Sequence, residues 1–177
     1  MLRIGSLILW YKIIAPVFLC FLITGCGFSP VYVKNNKSLF NTQFRYIKID
    51  PIQDRVGQQL RNELVKILHP TGAASPLKYS LNTTISIAKQ GLAIKKSELA
   101  TRSNLIVTAN FTLTENESKR SLTTGNSKIV TSYNILDQVY ATKVAEQNAQ
   151  IRAISEISRD IASKLGVFFR YQKKVKR

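Results

Sequence analysis

The chain has 177 residues, of which 26 are Lys or Arg and 10 are Asp or Glu, for a net charge of +16 with one His and two Cys. So few His and Cys residues exclude a disulfide framework and most metal sites. With 45% hydrophobic and 20% charged residues, the chain has material for one core of ordinary size and is neither a disordered polymer nor a multi-span membrane protein.

Residues 1–25 have the layout of an export signal: Arg3 and Lys12 precede an uncharged run of 13 residues, Ile13 to Gly25. A spanning helix needs about 20 apolar residues, whereas a run of about 10–14 fits a signal core. The competing reading is a transmembrane anchor extended back through Ile4 past Lys12. Leu22-Ile23-Thr24-Gly25-Cys26 resembles the lipobox of bacterial lipoproteins, so Cys26 is expected to carry the lipid and to begin the mature chain. Cys20 would leave with the signal. Removal of 1–25 takes two basic residues and no acid, leaving 152 residues at +14. Such a charge usually points to nucleic acid, but an export signal points instead to anionic headgroups or envelope glycolipid, and no nucleic acid is expected.

Residues 26–43, with Pro30, Asn35, Asn36 and Ser38, read as a lipidated tether. Phe44 to Asp50 is short, rich in β-branched and aromatic residues and stopped by Pro51, which predicts a first strand. From Asp54, read as an N-cap, Val56, Leu60, Leu64, Ile67 and Leu68 recur at helical spacing until Pro70 and Gly72. His69 at the helix end reads as a cap rather than a catalyst.

From Leu77 the period becomes two. Leu77, Tyr79, Leu81, Thr83, Ile85 and Ile87 share one face of a half-buried strand, and the same rhythm returns in Ser103, Leu105, Val107, Ala109, Phe111 and Leu113. Gln90 to Arg102 joins the two strands, with a hairpin tip at 95–98. A third alternating run, Ile129, Thr131, Tyr133 and Ile135, is expected after a turn centred on Thr124-Gly125-Asn126. A last helix over about 141–168 follows, with Ala145, Ala149, Ile154, Ile157, Ile161, Leu165 and Phe168 along one stripe and Arg152 and Glu156 spaced as an i,i+4 pair. At about 1.5 Å per residue it would be about 40 Å long. Residues 170–177 read as a basic tail.

The order βαβββα predicts an α+β fold over 44–169. It is a two-layer sandwich with both helices on one face of a four-stranded mixed sheet, the first helix serving as a parallel crossover. The other face would be rich in Ser, Thr and Asn. Three N-x-S/T triplets, at Asn82, Asn110 and Asn116, matter only in a eukaryotic secretory context. If strands one, two and four all end where the 95–98 hairpin turns, Arg55, Lys95, Lys96, Arg102 and Lys143 collect at one pole, and the start of the last helix adds free N–H groups. Lys and Arg there would pair with the phosphates of a glycolipid.

Cys26-Gly27-Phe28-Ser29-Pro30-Val31-Tyr32 after the lipobox resembles the start of the mature LPS-assembly lipoproteins of the alphaproteobacterial type. Gly57-Gln58-Gln59-Leu60-Arg61-Asn62, Ala100-Thr101-Arg102, Ser132-Tyr133-Asn134 and Ala141-Thr142 are similar to that family's pattern. The resemblance implies two helices on a four-stranded sheet. It also implies an outer-membrane lipoprotein facing the periplasm, a place inside a large β-barrel partner, and support for lipopolysaccharide transport to the cell surface. Gly27 rather than Asp after the lipidated cysteine fits outer-membrane sorting.

Two rival readings remain. An enzyme would need a motif such as G-x-S-x-G, H-E-x-x-H, a Cys/His pair or a glycine-rich phosphate loop, and the sequence has none, so neither catalysis nor a cofactor is expected. A lipid-binding lipoprotein subunit of another envelope lipid-transport complex would share the anchor and the charge.

Overall fold

The computed structural model describes residues 43–91 and 102–175, with side chains of the last helix described through Gln172. The elements are β1 (Ile47–Ile49), α1 (Asp54–Leu68), β2 (Tyr79–Gly91), β3 (Arg102–Glu115), β4 (Ser121–Asn134) and α2 (Val139–Val175). The sheet order is β1-β2-β3-β4, with β1 parallel to β2 and the remaining pairs antiparallel. The expected α+β architecture and its βαβββα order are therefore present.

Strict alternation puts one side of each long strand into the core. Leu81 of β2, Leu105, Val107 and Leu113 of β3, and Ile47 and Ile49 of β1 are buried against Leu60, Leu64 and Leu68 of α1 and Ile154, Ile157, Ile161 and Leu165 of α2. Full burial of an aliphatic side chain of this size stabilises by about 1.5–3 kcal/mol relative to exposure, which is what holds two helices with polar outer faces onto the sheet. Ser158 is the polar residue on the buried stripe of α2, and its hydroxyl donates to the Ile154 carbonyl at 2.7 Å, so its burial leaves no donor unpaired. Between the helices, Gln150 Nε2 donates to Gln59 Oε1 at 3.0 Å. Phe169 packs on Tyr79 and Phe44, with ring centroids 5.3 Å and 6.2 Å apart, and pins the far part of α2 to the start of β1 and β2.

The structure departs from the sequence reading in four places. The turn before β4 is not at 124–126 but just after Glu115, whose N–H reaches the Arg120 carbonyl at 3.0 Å. Gly125 lies inside β4 opposite Phe111, and a Cβ on it would stand 2.4 Å from Phe111 Cζ. Gly125 thus marks a close approach of an aromatic ring rather than a turn.

Secondly, Asp54 does not cap α1. Gln53 takes the N-cap position without a side-chain bond, and Asp54 enters the helix with φ +67°, a conformation that Asp tolerates better than most residues. His69 does end the helix as expected, its N–H bonding the Val65 carbonyl at 2.8 Å. Thirdly, α2 does not stop near 168 but runs on through Val175 across the segment expected as a tail. Leu165 and Phe169 keep the apolar stripe going, no proline interrupts, and basic residues near a helix C-terminus suit its dipole. At 37 residues it is about 55 Å long.

Lastly, β1 is three residues long, and its end, Ile49, pairs with Leu81, ten residues short of the end of β2 at Gly91. Strand β1 therefore does not reach the hairpin end of the sheet, whereas β2 and β4 do.

Candidate functional site

The hairpin end is built where β2 stops at Gly91, β3 begins at Arg102 opposite Asn134, and the chain passes through 135–138 into α2. Thr142 closes that passage: its hydroxyl accepts from the Leu136 N–H at 2.8 Å and donates to the Leu136 carbonyl at 3.0 Å. With its backbone held at Leu136, the junction keeps Ile135, Leu136, Val139 and Tyr140 out in solvent, Val139 and Tyr140 being more than 80% exposed. No acid occupies the first turn of α2, and the nearest, exposed Asp137, lies two residues before it.

Three cations and two acids, Glu146 and the exposed Asp137 of the 135–138 passage, share this end. Arg102 and Lys143 are exposed. Lys89 lies on the helix-facing side of β2 by the strand's parity, and its Nζ is 2.9 Å from Glu146 Oε1 of α2, while Lys143 Nζ is 3.5 Å from the same oxygen. The hydrogen bond from Lys89 holds the Glu146 carboxyl below its ordinary pKa, with burial opposing and the charges of both lysines reinforcing. The same hydrogen bond holds the Lys89 ammonium above its ordinary value. Glu146 therefore stays ionised and ties β2 to α2, and the three cations outnumber the two acids by one.

Of the residues expected at this pole, Arg102 and Lys143 belong to elements that start at the hairpin end. Lys95, Lys96 and the lipidation candidate Cys26 lie outside the described residues. Arg55 is exposed on the first turn of α1, and the register of β1 gives it no strand-end position beside Arg102. Sequence reasoning missed Lys89 because alternation was followed only as far as Ile87, although the next residue of that parity is this lysine. It also missed the apolar group at 135–140, where four large apolar residues within six positions fit neither a strand nor a helix stripe.

A model of the lipopolysaccharide-assembly family matches residues 41–165. An uncharacterised protein of Rickettsia prowazekii is 27% identical over 153 residues, covering 86% of this chain and 94% of its own. Among solved structures, a putative lipoprotein from Caulobacter crescentus superposes with a TM-score of 0.61 at 24% identity, over 75% of this chain and 96% of that one. A minor lipoprotein from Acinetobacter baumannii gives 0.57 at 16% identity, over 68% and 90%. At these identities the two structures speak for the fold. Among the described residues no helix is long and apolar enough to cross a membrane.

Proposed function

The chain belongs to the lipopolysaccharide-assembly family, and from that premise we propose that it is an outer-membrane lipoprotein, anchored through Cys26 and facing the periplasm. In this reading it seats in a large β-barrel translocon, stabilises it, and binds lipopolysaccharide directly during transfer. The family match carries the assembly role. The site at the hairpin end supports direct binding, because it sets Arg102, Lys143 and Lys89 beside exposed Ile135, Leu136, Val139 and Tyr140.

A glycolipid of this class presents phosphates next to acyl chains, and a surface that pairs cations with apolar side chains meets both parts. The cations would form charge-assisted hydrogen bonds with phosphate oxygens. The apolar side chains would take the edges of the acyl chains out of water, at about 25 cal/mol per Å² covered. A protein that offers both can compete with the contacts holding a glycolipid aggregate together. Lys95 and Lys96 of the β2–β3 connection belong to the proposed site, and Arg55 enters it only as a more distant cation. No step of this action makes or breaks a covalent bond, so the reading is not enzymatic.

The test is recovery of the full-length lipoprotein from its own envelope in mild detergent, with mass spectrometry of bound protein and lipid. Near-equal amounts of a large β-barrel, with lipopolysaccharide, are expected, and lipopolysaccharide binding should weaken as ionic strength rises. Recovery with an inner-membrane transporter, or with phospholipid alone, would overturn the reading in favour of a subunit of another lipid-transport complex.

A further inference from the structure

We propose that the open face of the sheet carries a second ligand site, for a sugar bearing a carboxylate or phosphate, at the end opposite the hairpin. On this face Lys48 of β1, Ser80 and Asn82 of β2 and Thr114 of β3 line a concavity of about 570 Å³, together with Asp50 and the β3–β4 turn residues Asn116 and Lys119. That volume lies within the range of about 300–1,000 Å³ usual for small-ligand sites.

Its chemistry is specific in three respects. First, the site is basic. Lys48 Nζ stands 3.3 Å from Asp50 Oδ1, while Lys119 makes no ion pair among the described residues, so the two lysines outweigh the one acid. Beside them Lys78 Nζ sits 4.9 Å from the centre of the Tyr46 ring, and the Lys78 carbonyl accepts from the Asn116 N–H at 2.8 Å. Secondly, the floor is polar and partly pre-oriented. Ser80 Oγ donates to Asp50 Oδ2 at 2.7 Å and Asn116 Nδ2 donates to the Leu77 carbonyl at 2.9 Å, which fixes both side chains and leaves Asn116 Oδ1 without a partner among the described residues. The side chains of Asn82 and Thr114 have no protein partner among the described residues and can give or accept hydrogen bonds.

Thirdly, an acid stands in the wall of a basic site. Asp50 would repel a bare anion but can accept the hydroxyls of a sugar while Lys48 and Lys119 pair with its acidic group. No large apolar side chain lines the concavity, which disfavours an acyl chain. Cations, one carboxylate, two amides and hydroxyls around a concave site together fit an anionic sugar better than phosphate, hydrocarbon or a flat protein surface.

This site is separate from the hairpin end. Ser80 and Gln90 share a face of β2 ten residues apart, about 33 Å by strand rise. The inference does not rest on the lipopolysaccharide reading, since the sugar could come from a glycolipid headgroup or from a free acidic saccharide.

The experiment uses ¹⁵N-labelled full-length lipoprotein in detergent micelles and follows the side-chain amide resonances of Asn82 and Asn116. The probes are galacturonate, glucose 6-phosphate, glucose and inorganic phosphate. Saturable shifts with the two acidic sugars are expected, with glucose and phosphate each binding about ten-fold more weakly because each supplies half of the contacts. The double variant Lys48→Ala/Lys119→Ala should lose about ten-fold in affinity for the acidic sugars while keeping native dispersion elsewhere. Equal binding of inorganic phosphate, equal binding of glucose, or an unaltered double variant would each overturn the proposal. A further arm adds lipopolysaccharide: the same two amides shifting identifies a headgroup source, and shifts with the free acidic sugars alone identify a free saccharide. Failure here leaves the hairpin-end reading untouched, because Arg102, Lys89 and Lys143 take no part in these signals.

Discussion

Replacing Glu146 by Gln should strengthen lipopolysaccharide binding while costing the fold little. The Glu146 side chain is 15% exposed and 2.9 Å from Lys89 Nζ and 3.5 Å from Lys143 Nζ, so one acid offsets cations drawn from β2 and α2. Its removal adds one net positive charge to the hairpin end. A unit charge about 5 Å from a phosphate is worth about 0.8 kcal/mol at the dielectric of water, or about four-fold in affinity, and less once salt screens it. On the stability side, both lysine side chains are more than half exposed, and pairs of that kind contribute only about 0.2–1 kcal/mol.

The same substitution has a signature in pH. Because Glu146 is held below its ordinary value of 4.5, its contribution to stability is present above that pH and fades as pH falls through the lowered folded-state value. Glu146→Gln should therefore flatten that part of the acid limb of thermal unfolding. Calorimetric titration of the purified lipoprotein with lipopolysaccharide at low and at physiological ionic strength measures the first effect. An affinity unchanged or lowered at low ionic strength would refute the electrostatic reasoning for this end of the molecule.

Three further outcomes are expected. Gly125→Ala should destabilise by about 1–2 kcal/mol in denaturant unfolding, since overpacking against the Phe111 ring costs about 1–3 kcal/mol and a lost strand glycine returns about 0.5–1. In a Phe111→Leu background the penalty should vanish. Val139→Ser/Tyr140→Ser should leave the unfolding midpoint within about 0.5 kcal/mol of the parent, as exposed positions do, yet weaken lipopolysaccharide binding in the same titration. Cys26→Ser should abolish incorporation of labelled palmitate and block removal of residues 1–25, read as a larger species on a denaturing gel.

What was legible in the sequence followed from period. The two-residue alternation of 79–87 and 103–113 and the stripe from Leu60 to Leu68 depend only on which side is buried, and the core forms there. The errors came where a residue type had two meanings. Gly125 signals a turn or a close approach, and the Phe111 ring that decides between them comes from 14 positions away in the chain. The length of β1 was equally hidden: its run of β-branched and aromatic residues says that a strand forms but not how far along β2 it pairs. That distance decides whether Arg55 follows a strand ending at the pole, so one local uncertainty passed directly into the site.

Parity on β2 explains how one strand serves two surfaces. Even positions such as Ser80 and Asn82 belong to the open face, and odd positions from Leu81 onward to the helix-facing side. Helix α1, crossing between β1 and β2, covers that side near Leu81, where it is wholly buried. By Lys89 the apolar run has ended and a lysine takes the next core-facing position. A charge there is tolerable because Glu146 of α2 meets it at 2.9 Å, so the dry side of the sheet becomes a polar boundary beside the exposed apolar residues of the 135–140 junction. The same parity makes the two proposed sites separable. Changes at Lys89 act through α2 and the hairpin end, and changes at Lys48 or Lys119 act on the open face. A variant at either site should therefore leave the other's binding signal unchanged, as expected for groups far apart that share no partner.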